Sequence, residues 1–118
     1  MMEELKLGYA EFKKLSNSER LTLLDWCSQI TKIKTINNKW TSYGLKHVFE
    51  RSKNGFYITN DAFIYAMYKL GFELKRCYYC SPNFCFNISL KSLKELVRET
   101  GSEQDKKGFG IKEKYDWR

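Results

Sequence analysis

Around Gly71 the spacing of apolar residues changes period, and few small folds accommodate that change. Upstream, Phe63, Met67 and Leu70 recur at the three-to-four-residue spacing of one helix face. Downstream, Phe72 and Leu74, and then Phe84, Phe86 and Ile88, alternate as the buried face of a strand does. Gly71 stands where a helix takes its left-handed closing residue, with Phe72 folding back onto the last turn. The pattern predicts a helix from Asn60 to Leu70 followed by an antiparallel hairpin.

The rest of the chain reads mainly as helix. Leu5, Tyr9, Phe12 and Leu15 predict a first helix over 3–15, weakened at Gly8. Ser16 and Glu19 have the spacing of a capping box and open a second helix, in which Leu23, Trp26, Cys27, Ile30 and Ile33 form one buried stripe. Ile36-Asn37-Asn38 breaks that pattern. Thr41 or Ser42 caps a third helix carrying Leu45, Val48 and Phe49, and Lys53-Asn54-Gly55 turns the chain out of it. Phe56 to Ile58 is a stub of extended chain, Thr59-Asn60-Asp61 a fresh cap, and Ser89 the cap of a fifth helix with Leu90, Leu93 and Val97 on one face, ended by Gly101. The expected fold is α+β and mainly helical: a winged-helix-like core of helices plus a β-hairpin, with N-terminal helices and a C-terminal helix and tail. One domain is expected over 1–102, with 103–118 a polar tail that Phe109, Ile111, Tyr115 and Trp117 could dock.

A chain of 118 residues holds one core, and 42% apolar residues with a single proline are enough to fill it. Its apolar runs are far shorter than the roughly 20 residues of a membrane span. Cysteines 27, 77, 80 and 85, with no secretory leader ahead of them, are expected as reduced thiols in a cytoplasm. Cys27 falls on the apolar stripe of the second helix and reads as a core thiol.

The net charge of +7 is unevenly placed. Residues 31–57 alone carry +5, from Lys32, Lys34, Lys39, Lys46, Arg51 and Lys53 against Glu50. This stretch is the expected contact for phosphates or an acidic protein face, with Lys39, Tyr43, Lys46, His47, Arg51 and Lys53 as its residues and Tyr43 free to stack on a base. The plain structural reading is a solvated helix surface. Should the helix from Asn60 act as a groove reader, Asn60 and Tyr65 would join the contact, although its outward side holds few base-reading side chains. His47, the only histidine, is placed to pair with Glu50 along the helix.

Cys77-Tyr-Tyr-Cys80 with Cys85 offers zinc-ligand types, yet a second paired turn is missing. Cys85 sits between Phe84 and Phe86 and is expected to point away from the loop. Free thiols at a hairpin tip are the simpler expectation, so no cofactor is assigned. The chain shows no phosphate-cradling glycine loop, no nucleophile with a base and no recognisable carboxylate pair, and the expectation is a protein that is not an enzyme.

The central block, Thr35-Ile-Asn, Ser42-Tyr-Gly-Leu-Lys-His47, Gly55-Phe-Tyr-Ile-Thr-Asn60, Ala66-Met67, Gly71-Phe72 and Asn83 to Ser89, resembles a group of small uncharacterised accessory proteins of bacterial phages and other mobile elements, which implies a bacterial host cytoplasm. The match covers residues 35–89, and the Ser42 to His47 piece is its most specific part. The chain departs from the pattern at Asp61, where glycine is commoner, and in its cysteine-bearing hairpin. The resemblance implies an accessory role such as DNA binding or inhibition of a host defence nucleoprotein complex, of the anti-CRISPR type. The expected partner is a nucleic acid or a nucleic-acid-bound complex such as a CRISPR effector, not a membrane. A winged-helix transcriptional regulator and a zinc-stabilised interaction module are the alternatives.

Overall fold

A computed structural model describes residues 2–77 and 82–111. Helix α1 spans Met2–Lys13 and α2 Asn17–Ser28; strand β1 follows over Lys32–Thr41. Helices α3, Ser42–Arg51, and α4, Asn60–Lys69, precede the hairpin strands β2, Leu74–Arg76, and β3, Phe84–Ile88. Helix α5 covers Leu90–Thr100 and a short α6 Glu103–Gly108. The fold is α+β and mainly helical, as expected.

The helix starts are where the capping residues put them. Ser16 Oγ accepts from the Glu19 amide at 3.1 Å while Glu19 Oε1 accepts from the Ser16 amide at 2.9 Å, the reciprocal box that opens α2. Thr41, Thr59 and Ser89 each accept from a backbone N–H of the following turn. At the end of α4, Gly71 has φ +89° and the Phe72 amide donates to the Met67 carbonyl at 3.1 Å, the predicted closure.

Strand β1 departs from the expectation that Ile30 and Ile33 continue the stripe of α2. The helix ends at Ser28; Ile30 is buried beyond it, and Ile33 lies 42% exposed on the strand. Thr31, Ile33, Thr35 and Ile36 are β-branched, a density that suits pleated backbone better than helix. The strand becomes an edge of a three-stranded antiparallel sheet in the order β1-β3-β2. Strand β1 therefore closes the winged-helix-like core against the expected hairpin. Two register shifts interrupt its pairing with β3, one on either side of Asn37.

Strand β3 is buried along its whole length. Its Asn87 ties the sheet together: Oδ1 accepts from the Glu73 amide beside β2 at 2.7 Å, and Nδ2 donates to the Ile33 carbonyl of β1 at 2.9 Å. The core gathers Leu23, Trp26, Phe49, Phe63, Phe86 and Leu93 from five different elements, and Trp26 meets Phe49 and Phe63 edge-on. Cys27 lies in this core as expected, and burial pushes its thiol pKa up. On α5 the buried row is Leu93, Leu96 and Val97; Leu90, expected to join it, is 39% exposed.

Helix α1 packs mainly on α4, and Gly8, a weak point in the helical pattern, is what permits the approach. A Cβ there would lie 2.5 Å from the Asp61 carbonyl oxygen and 2.9 Å from Tyr65 Cβ. Gly55 is equally constrained, since a Cβ would fall 2.0 Å from the Phe49 carbonyl oxygen.

The segment from Glu103 is not merely a tail. Ser102 caps α6, Asp105 is buried, and Phe109 stacks on Trp40 with ring centres 5.2 Å apart and planes 6° from parallel. Ile111 also packs against the core, while Tyr115 and Trp117 lie outside the described residues.

Candidate interaction surface

The segment 31–57 divides into two environments at Thr41. On α3 the cations are engaged. Lys46 Nζ lies 2.8 Å from Glu50 Oε2, with its side chain 7% exposed, and sits over the rings of Tyr57 and Tyr43 at 4.9 and 5.8 Å. Glu50 also accepts from the Ile58 amide at 3.1 Å, and its other oxygen lies 2.9 Å from His47 Nδ1. Burial alone would raise the Glu50 carboxyl; the bonds from Lys46, Ile58 and His47 outweigh it and hold the pKa below the usual carboxylate value.

Arg51 reaches across to α6 in a two-pronged pair, Nε to Asp105 Oδ2 at 3.0 Å and Nη2 to Oδ1 at 2.7 Å. Ser102 Oγ donates to the same Asp105 carboxylate at 3.0 Å. Lys46 is thus built into the interior, and Arg51 serves to dock α6. Neither presents the free cation that the sequence suggested. Tyr43 is 53% exposed, its ring edge-on to His47 at 4.4 Å.

On β1 the cations stand open. Lys32, Lys34 and Lys39 are exposed, and among the described residues none has a carboxylate within ion-pair distance. Lys32 Nζ rests 4.9 Å over the Phe72 ring. The Lys39 amide donates to Asn37 Oδ1 at 2.9 Å, leaving its ammonium in solvent. Lys53, exposed beyond α3, is held by its backbone amide to the Thr100 carbonyl at 2.8 Å. The structure therefore keeps Lys39, Tyr43 and Lys53 at the surface and adds Lys32 and Lys34. The lone acid Glu50 three and four residues after His47 and Lys46 was the sequence signal for the engaged pair.

Asn60 and Tyr65, the residues expected on a groove-reading helix, are half-buried and engaged by neighbouring side chains. Asn60 Nδ2 donates to Asn83 Oδ1 at 3.1 Å, tying the start of α4 to the hairpin. Tyr65 packs between Tyr9 and Phe12 of α1 at 5.5 and 5.2 Å, and Ile64 is buried. Helix α1 covers the side of α4 that would have to enter a groove.

The expectation that Cys85 points away from the loop is also revised. Lys75 faces Cys85 in the ladder, so Cys77, two residues on, projects to the same side, and the two thiols are neighbours. Burial first, and the Cys77 thiol second, push the Cys85 pKa up, so it has little thiolate character near neutral pH. Cys80 lies outside the described residues, and no group of three metal-ligating side chains forms among those that are described.

The chain matches no protein-family model, no curated protein and no solved structure. No helix among the described residues is long and apolar enough to cross a membrane.

Proposed function

We propose that this chain is a non-enzymatic binding domain, of the accessory kind carried by phages and other mobile elements, that engages a nucleic acid or a nucleoprotein complex such as a CRISPR effector through its phosphates. The observation that carries this reading is the row of Lys32, Lys34 and Lys39 on the β1 edge, exposed and without an ion-pair partner among the described residues, with the exposed ring of Tyr43 at the start of the helix that follows. Lysines on a strand edge meet phosphates without reading sequence, and a neighbouring aromatic offers a stacking face. They also guard an edge strand against pairing with another chain, so charge reversal must be read for affinity and for self-association together.

Fluorescence anisotropy against labelled single-stranded DNA, duplex DNA and RNA tests the proposal. Three lysines on duplex phosphates give a slope of log affinity against log salt of about −2.7. Lys34→Glu with Lys39→Glu abolishes binding while the protein stays monodisperse. Absence of binding at low salt, or an unchanged affinity in the double variant, would overturn it.

A further inference from the structure

An open groove of about 540 Å³ runs between α1, α2 and α4, and no β1 residue lines it. Phe12, Leu24 and Tyr65 are set deepest in it, and Tyr9 and Leu21 stand along its rim, 49% and 68% exposed. Large apolar side chains this open need an explanation when they adjoin one another. Tyr68, 49% exposed and packed beside Tyr65, extends the patch outward.

The charge around this groove is one-sided. Lys13, Arg20 and Lys69 line it, and no aspartate or glutamate does. Arg20 donates to Asn17 Oδ1 at 2.7 Å and Lys13 sits 5.6 Å over the Tyr9 ring, yet none of the three cations has a carboxylate partner among the described residues. By contrast Lys14, Lys46, Arg51, Arg76, Arg98 and Lys106 all do. An apolar strip bordered by unpaired cations is complementary to a helix with an apolar stripe and acidic flanks. Its openness and aromatic content suit a row of inserted side chains better than an enclosed small molecule.

We infer that the α1–α2–α4 groove is a docking site for an acidic amphipathic helix of a partner protein. Leucine or phenylalanine side chains at helical spacing would fill the space over Phe12 and Leu24, and flanking glutamates would meet Arg20, Lys13 and Lys69. The groove's lining shares no residue with the β1 row, so phosphates and protein would be met by different side chains.

The probe is a labelled amphipathic peptide of about 16 residues, long enough for four helical turns, with leucine along one face and glutamate beside it. The same peptide with lysine for glutamate is its control. The full-length chain is expected to bind the acidic peptide and not the basic one. Arg20→Glu with Lys69→Glu weakens the acidic peptide about tenfold or more and admits the basic peptide, and Leu21→Ser weakens the acidic peptide on the native chain and the basic peptide on the charge-reversed one. Thermal melting of each variant shows that the fold is kept. Failure to bind the acidic peptide, or equal affinity in the Arg20/Lys69 variant, overturns the inference. So does binding lost only on reversal of Lys34 and Lys39, which would move the peptide to the β1 edge, or self-association abolished by Leu21→Ser, which would make a second copy the occupant. The β1 proposal stands or falls separately, because its DNA affinity should be untouched by Leu21→Ser.

Discussion

Helix α3 and strand β1 are consecutive, similar in length and both rich in cations, but their charges have different employment. The ammonium of Lys46 is enclosed by Glu50, Tyr43 and Tyr57, and the guanidinium of Arg51 is clamped by Asp105. The lysines of β1 stand in water on a sheet edge. The net charge is +3 on β1 and +1 on α3, and packing widens that difference, because it assigns the α3 cations to stability and leaves those of β1 available. What decides is the presence of an acid within reach: Glu50 lies one helical turn from Lys46, and β1 has no acid in its own sequence.

The largest test of that contrast is Glu50→Ala. It strands a buried Lys46 ammonium and should cost about 3–5 kcal/mol in urea unfolding, and Glu50→Ala with Lys46→Met should recover much of it. A loss below about 1 kcal/mol, the range of an exposed pair, would place α3 in the same class as β1. Asp105→Ala should cost less, about 1–2 kcal/mol, because Arg51 is 38% exposed and can rehydrate. The same change releases a cation at the C-terminal end of α3, so salt-sensitive affinity for nucleic acid should rise. An affinity that falls would mean that α6 takes part in the contact.

Acid sharpens the comparison further. Glu50 has a lowered pKa, so its contribution is complete above the reference value of 4.5 and is lost as pH falls through the lowered one. Asp61 behaves oppositely: burial, with Glu11 and Glu4 nearby, raises its pKa, so its contribution is greatest below 3.8 and lost as pH rises through the raised value. Thermal melting across pH should therefore show Glu50→Gln flattening the acid limb and Asp61→Asn stabilising the protein near pH 7. The smallest expected effect is that of Lys34→Ala on stability, within about 0.5 kcal/mol, measured alongside a loss of nucleic-acid affinity.

Most helices were legible because their ends carry local chemistry. Ser16 with Glu19, Thr41, Thr59, Ser89 and Gly71 act within a turn of chain, and each does in the structure what its position implied. Strand β1 was not legible as such, since it pairs with β3 some fifty residues away and its isoleucines also fit the period of α2. Helix α6 carried a missed signal: Ser102 with Asp105 has cap spacing, but the ion-pair partner of the buried Asp105 is Arg51, far back in the chain. The candidate surface was half readable for the same reason. Its charge could be counted in sequence, but the burial of Lys46 is a tertiary fact.

The resemblance block looks different once placed in the fold. Ser42 is fully buried and accepts from the Phe84 amide at 3.1 Å, Leu45 is core, and Lys46 and His47 both engage Glu50. Of the six residues from Ser42 to His47, only Tyr43 is turned mainly to solvent. The Ser42 to His47 segment builds the junction of α3 with the sheet.

Asn87 joins both edges of that sheet to its central strand, and this has a bearing on how the wing region breathes. A three-residue β2 and an interrupted β1 are each too weak to persist alone, yet one amide side chain makes each edge depend on the same β3 position. Opening should be shared rather than local. In native-state hydrogen exchange, the Glu73 amide, which bonds to Asn87, and the amides of β1 should then report one common opening free energy, and Asn87→Ala should let them exchange independently.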